Sequence, residues 1–101
     1  MAAVAVGQGR SSISTNHLCN SVTTTDRCSS DVLAEGIGIV RNSDRSKTHL
    51  IPRGDSCGTH TPSIIANSCV IVNGRPAAKV GDRHGDCGSI TTGITSVDIG
   101  R

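Results

Sequence analysis

The chain has 101 residues, 35% of them hydrophobic and none aromatic, with a formal charge of +2 and a pI near 8.4. Such a length sets a single domain, 1–101, and a core of Val, Ile, Ala and a few Leu leaves little margin over chain entropy, so a disulfide, a metal or a larger partner is expected to help hold it. No run approaches the roughly 20 apolar residues of a membrane-spanning helix, and scattered basic residues without aromatic partners argue against a nucleic-acid surface.

The opening MAAVAVGQGR turns polar too early for a signal peptide. Synthesis in a reducing cytosol is therefore expected, where five Cys with four His point to metal rather than cystine. The GQGR at 7–10 lacks the Gly-Lys-Ser/Thr of a phosphate loop. Thr23, Thr24 and Thr25, like Thr91 and Thr92, favour strand over helix, and only residues 31–34 carry a trace of helical character. Arg41, Arg45 and Lys47 form the densest basic run, read as a solvated loop. Arg53-Gly54-Asp55 spells an integrin-binding tripeptide, but Gly-Asp recurs at Gly81-Asp82, which makes coincidence the better reading. In SCVIVNGRPAAKV a β-branched run meets the hairpin signal Asn73-Gly74 and resumes after Pro76, which lacks an amide proton and must begin a strand or lie at an edge. GITSVDIG (93–100) closes the chain as a further strand. With 12 Gly, three Pro and no sustained 3.6-residue period, the expectation is an all-β chain of short strands.

The chain also resembles itself. At an offset of 38, SSDVLAEGIGIVRNSD (29–44) lies over NSCVIVNGRPAAKVGD (67–82). Ser30 meets Ser68, Val32 meets Val70, Gly36 meets Gly74, Arg41 meets Lys79 and Asp44 meets Asp82. Five residues beyond each aspartate, His49 meets Cys87. GITSVDIG matches NSCVIVNG as a third copy of the front half, and AVGQGRSSISTNH (5–17) reads as a lengthened KVGDRHGDC with His17 in the ligand-bearing place.

Two ligand sets follow. Spacing alone pairs Cys57-Gly-Thr-His60 with His84-Gly-Asp-Cys87 as a ribbon-like zinc site. The repeat proposes another: equivalent positions converging on an axis supply His17, His49 and Cys87, and His60 on the long middle loop completes a closed tetrahedral shell. The second set is preferred because it accounts for the repeat as well. Cys19, Cys28 and Cys69 are then left structural roles, Cys69 at an inward strand position. A Cys57 or Cys87 nucleophile with a His base lacks an acidic orienting residue and an oxyanion motif, so no enzyme is expected.

NGRPAAKVGD, followed by Cys87-Gly88-Ser89-Ile90 and a closing Gly-x-x-Ser-Val strand, resembles the proline-alanine-alanine-arginine (PAAR) repeat family, with Lys79 where that name has arginine. Members of that family are the sharpened tips of contractile injection machines, the type VI secretion system and contractile phage tails, and this chain is most similar to the stand-alone phage type. The resemblance implies a cone of short β-hairpins in three pseudo-threefold repeats. It also implies one structural zinc near the apex, held by His17, His49, His60 and Cys87, with iron a lesser alternative. The implied partner is a trimeric β-helical spike, a valine-glycine repeat protein or a phage central spike or tail lysozyme, capped by one copy per trimer. No nucleic acid is implied, only transient contact with a target envelope, and the location is a virion or the secreted needle. The stop at Arg101 implies no fused toxin. The middle unit departs from the motif, with Glu35-Gly36-Ile37 for Asn-Gly and Asn42-Ser43-Asp44 for Val-Gly-Asp. The rival from another class is a zinc-ribbon-like module that uses Cys57, His60, His84 and Cys87 to present a basic loop to nucleic acid or protein.

Overall fold

A computed structural model describes residues 2–15, 22–47, 49–53, 56–85 and 88–99, with the side chains at 49–60 outside the description. Among the described residues every regular element is a strand. In chain order they are β1 (Ala2–Val4), β2 (Ser12–Thr15), β3 (Val22–Thr24), β4 (Leu33–Ala34), β5 (Ile37–Gly38), β6 (His49–Arg53) and β7 (Ser56–His60). There follow β8 (Ile64–Ile65), β9 (Ile71–Val72), β10 (Arg75–Pro76), β11 (Arg83–His84), β12 (Gly88–Ile90) and β13 (Ile94–Ile99). They are short because glycine, proline or Asn/Asp cuts each β-branched run after a few residues. All strand pairs are antiparallel.

Three backbone segments meet in a closed ring of hydrogen bonds. Ala5 N–H donates to Ala78 C=O (3.0 Å), Ala78 N–H to Val40 C=O (2.8 Å), and Val40 N–H to Ala5 C=O (3.0 Å). The pattern repeats outward: Gly7 donates to Gly38, Asn42 to Pro76 and Val80 to Ala3, all at 2.8–2.9 Å. The flanking bridges Val4 to Lys79, Val6 to Ile39 and Arg41 to Ala77 obey the same rotation. A pseudo-threefold axis therefore passes between residues 5, 40 and 78, and the offset of 38 between the second and third of these is the one read from sequence.

The chain-terminal copy sits one residue away from its expected frame. Val6, not Ala5, occupies the place of Lys79, and Ile99 pairs with Ala2 as Val72 pairs with Arg75. This unit is split between the chain's two ends and lacks the Gly-Asp marker. Where Asp44 and Asp82 cap the amides of Arg41 and Lys79 at 2.9 Å, Ser11 caps Val6 at 3.0 Å from two residues further along.

The three units build two ends. On one side of the ring lie the pairs β4–β5, β9–β10 and β1–β13. On the other, β3, β2, β12, β11 and β8 form a five-stranded sheet, closed around the axis by the bridges Thr25 to Ser46 and Arg45 to Ser63. The β6–β7 pair continues beyond that closure. The resulting body measures 41 × 24 × 20 Å. Residues 31–34 hold no helix; Leu33 and Ala34 are β4 instead. The middle turn takes the backbone of its counterpart despite the sequence change, with φ of 50° and 81° at Glu35 and Gly36 against 51° and 79° at Asn73 and Gly74. Likewise Ser43 (φ 73°) stands in for Gly81 (φ 96°). Thr91 and Thr92 lie outside strands, in the connection from β12 to β13.

The core is layered on the axis. Because side chains alternate along extended backbone, Val4, Val6, Ile39 and Ala77 point to one side of the ring and pack with Ala34, Val72 and Ile99. Ala5, Val40 and Ala78 point to the other and pack with Ile13, Ile64, Ala66 and Ile90. Ala77 and Ala78 have no exposed surface at all. Three chains converge at this level, so each position has room for only a few carbons, and the Pro-Ala-Ala stretch supplies its smallest members. We expect Ala78→Leu to overfill this layer and lower stability by about 1–3 kcal/mol, read as a shift in the denaturation midpoint without a change in slope.

Candidate metal centre

The next layer above the ring is closed by three bridged pairs, Thr25 with Ser46, Ile64 with His84 and Ile90 with Ile13, and all six residues are buried. Its polar members are hydrogen-bonded. The Thr25 hydroxyl donates to Val6 C=O, and the Ser46 hydroxyl meets His84 Nε2. His84, with no exposed surface, is thus an interior residue at the rotation-equivalent of Ser46 and Ile13.

Beyond that layer the strands lead to the four positions expected to bind metal. β2 ends at Thr15, the register partner of Gly88 at the start of β12. His17 follows the first and Cys87 precedes the second, and both lie outside the described residues. A Cβ at Gly88 would stand 1.8 Å from Ser14 C=O, so the two strands approach here as closely as backbones can. His49 opens β6 and His60 closes β7 as register partners. Their side chains are outside the description. The Thr25–Ser46 bridge runs the approach to β6 alongside β3. The strands bearing or approaching all four positions therefore leave the core at the same end. Of the ribbon-like alternative, Cys57 (by its side chain) and Cys87 lie outside the description, while His84 is the core residue described above. Among the described residues no group of three or more His, Cys, Asp or Glu could hold a metal.

The remaining cysteines divide. Cys19 lies outside the described residues. Cys28 is half-buried between glycines: a Cβ at Gly7 would fall 2.4 Å from its Cβ, and one at Gly38 2.7 Å from its Sγ. Burial, and next the Asp44 carboxylate, push its thiol above the ordinary range, which disfavours the thiolate. Cys69, expected inward, is exposed, because β9 begins only at Ile71 and residue 69 lies in the preceding bend.

A polar network joins the middle unit (29–44) to the unit at 67–82. Asp44, with a side chain 3% exposed, accepts from Arg41 Nε and from Arg75 at 2.9 and 3.1 Å. Arg41 also donates to Asn73 Oδ1 at 3.0 Å, and Asn73 Nδ2 donates to Asp31 Oδ1 at 2.9 Å. The basic run 41–47, expected as a solvated loop, is tied through Asp44 to Arg75. The signal for this in the sequence is Arg75 itself, directly after the Asn73-Gly74 turn that reaches back to the middle unit. No protein-family model and no curated protein matches the sequence.

Hydrogen bonds from Asn73 and then Ser29 hold the exposed Asp31 carboxyl below its ordinary value of 3.8. Because the folded value is the lower one, the contribution is complete above 3.8 and is lost as pH falls through the folded value. Wild type should therefore exceed Asp31→Asn in stability by a constant margin above about pH 5, with the difference closing below the ordinary value, as measured by urea denaturation at stepped pH.

Proposed function

We propose that the protein is the tip of a contractile injection machine, a cone closed at its apex by zinc and seated by its broad end on a trimeric β-helical spike. The observation that carries this is the closed threefold ring at residues 5, 40 and 78, with the closed five-stranded sheet on one side of it and three strand pairs on the other. A trimeric spike end offers three equivalent surfaces, and a monomer with three related blades matches it one to one. Among those blades Leu33 on β4 (53% exposed) and Ile71 on β9 (58%) occupy rotation-equivalent positions, and Val97 on β13 is 37% exposed. Unpaired outer strand edges and exposed apolar side chains are a liability on a free monomer and are resolved by a cap on a β-helix.

At the apex His17, His49, His60 and Cys87 would hold zinc. Three imidazoles and a thiolate suit tetrahedral zinc, and with four protein ligands there is no open position for catalysis. Such a site ties together loops far apart in sequence, with a binding energy on the order of 10 kcal/mol that counts as folding energy. The role is structural, without enzymatic turnover, and places the protein in a virion or on a secreted needle.

Metal content per chain separates the two ligand sets. We expect close to one zinc, lost in His49→Ala and Cys87→Ser and kept in His84→Gln, which retains a hydrogen-bonding side chain toward Ser46. Metal loss confined to His84→Gln would instead establish the ribbon-like site and return the protein to a generic binding module.

Docking is tested separately. Leu33→Glu with Ile71→Glu should weaken capture of a co-expressed β-helical spike trimer at least about tenfold, a loss of roughly 1.4 kcal/mol, with zinc content and melting temperature unchanged. Undiminished capture by the double variant would remove these blades from the interface.

A further inference from the structure

On the flank of the body, where the middle unit meets the one that contains Arg75, a cleft of about 470 Å³ is lined by Arg27, Arg41, Arg45 and Arg75 around Asp44, with Ser43 and Cys28 completing the wall. Four guanidinium groups face one carboxylate there, an excess of three positive charges in a chain whose total is +2. Asp26 and Asp31 stand close by, acting on Cys28 and Arg41 respectively, but do not line the cleft.

The fold does not require this concentration, and its own symmetry supplies the control. One rotation about the axis replaces Arg41, Arg45 and Arg75 by Lys79, Arg83 and Ala2; the other replaces them by Val6, Ser12 and Ile37. Lys79 simply pairs with Asp82 at 2.9 Å. The cleft that contains Ala2 is apolar in character, lined by Ala2, Ala3, Val80, Gly93 and threonines. Three sectors with one backbone thus carry three different surfaces, and only one gathers arginine.

Within that sector the charges are unequally used. Arg41 and Arg75 are fixed by Asp44, with Arg75 also donating to Asn42 C=O at 3.3 Å. Arg45 makes one long contact, 3.5 Å to Thr61 C=O. The Arg27 side chain has no hydrogen bond or ion pair to another described residue, and both Arg27 and Arg45 are exposed. Two arginines held by Asp44 thus line one cleft with two exposed ones, and each guanidinium carries the planar fork of donors that suits phosphate oxygens.

We propose that this cleft is a binding site for a phosphate-class oxyanion, a mono- or oligophosphate group that engages Arg27 and Arg45 and closes over the Asp44-anchored pair. The site does not depend on the spike-tip assignment. The volume suits a small phosphorylated molecule or a headgroup rather than a duplex. The phosphate can be free in solution or displayed on a lipid surface, and the chemistry of recognition is the same.

Calorimetric titration of the intact protein with inorganic phosphate and with tripolyphosphate, at constant ionic strength, reads the free form; flotation with phosphatidic acid vesicles against phosphatidylcholine vesicles reads the lipid form. We expect saturable binding of one anion per chain, weakened about tenfold or more by Arg27→Ala or Arg45→Ala and unchanged by Arg83→Ala at the rotation-equivalent of Arg45. Matched melting temperatures for the three variants keep the comparison independent of folding. Flotation that falls with the same variants identifies the lipid headgroup, and binding limited to soluble anions identifies the free phosphate. Absence of saturable binding in both arms overturns the proposal, as does equal weakening by Arg83→Ala. Affinity for single-stranded DNA that rises with length and outcompetes tripolyphosphate also overturns it, in favour of a nucleic-acid surface.

Discussion

The structure depends on a ring of three backbone hydrogen bonds among Ala5, Val40 and Ala78. Each of these residues both donates to and accepts from another unit, so no segment can be removed without leaving a buried amide or carbonyl unpaired, a loss of about 1–3 kcal/mol each. The ring also sets the direction of everything attached to it. Segments leaving one way form the base pairs β4–β5, β9–β10 and β1–β13, and those leaving the other way form the closed sheet that leads toward residues 17, 49, 60 and 87.

Convergence of three chains on one axis explains the composition. A side chain on the axis has two rotation mates competing for the same volume, so Ala, Val and Ile fill the layers and an aromatic ring has no place. The same geometry makes one half of the next layer polar: Thr25, Ser46 and His84 stand where Ile64, Ile90 and Ile13 provide the apolar half. Hydroxyl and imidazole are tolerated because Ser46 and His84 meet within the layer and Thr25 donates to the Val6 carbonyl below it.

Much of this is legible in the sequence because the repeat is spelled in residues with strong local preferences. Asn73-Gly74, Gly81-Asp82 and Pro76-Ala77-Ala78 announce the unit at 67–82, and an offset of 38 carries the pattern onto the middle unit. The substitutions in the middle unit change little, since Glu35 and Ser43 adopt the left-handed backbone their counterparts favour. The chain-terminal unit was misread by one residue because its two strands come from opposite ends of the chain, and Ser11 replaces the aspartate that would have marked the frame. Cys69 was misplaced because alternation was extended past the point where the strand begins. The arginine cleft was invisible for a different reason: its members come from residues 27, 41–45 and 75, three segments that only the assembled ring brings together.

A symmetric backbone with asymmetric side chains separates what the fold needs from what it merely permits. Positions that are alike in all three units, the small residues at the ring and the capping oxygen at Ser11, Asp44 and Asp82, are those the backbone requires. Positions that differ, such as Arg75, Ala2 and Ile37, are free of that requirement, and their chemistry answers to something outside the fold. Burial sets a further requirement: His84, Ser46 and Ile13 differ and yet all three are buried at one rotation-related place, which each fills in its own way. Leu33 and Ile71 are alike and exposed at rotation-equivalent positions outside both core clusters, so neither ring nor core accounts for their apolar side chains.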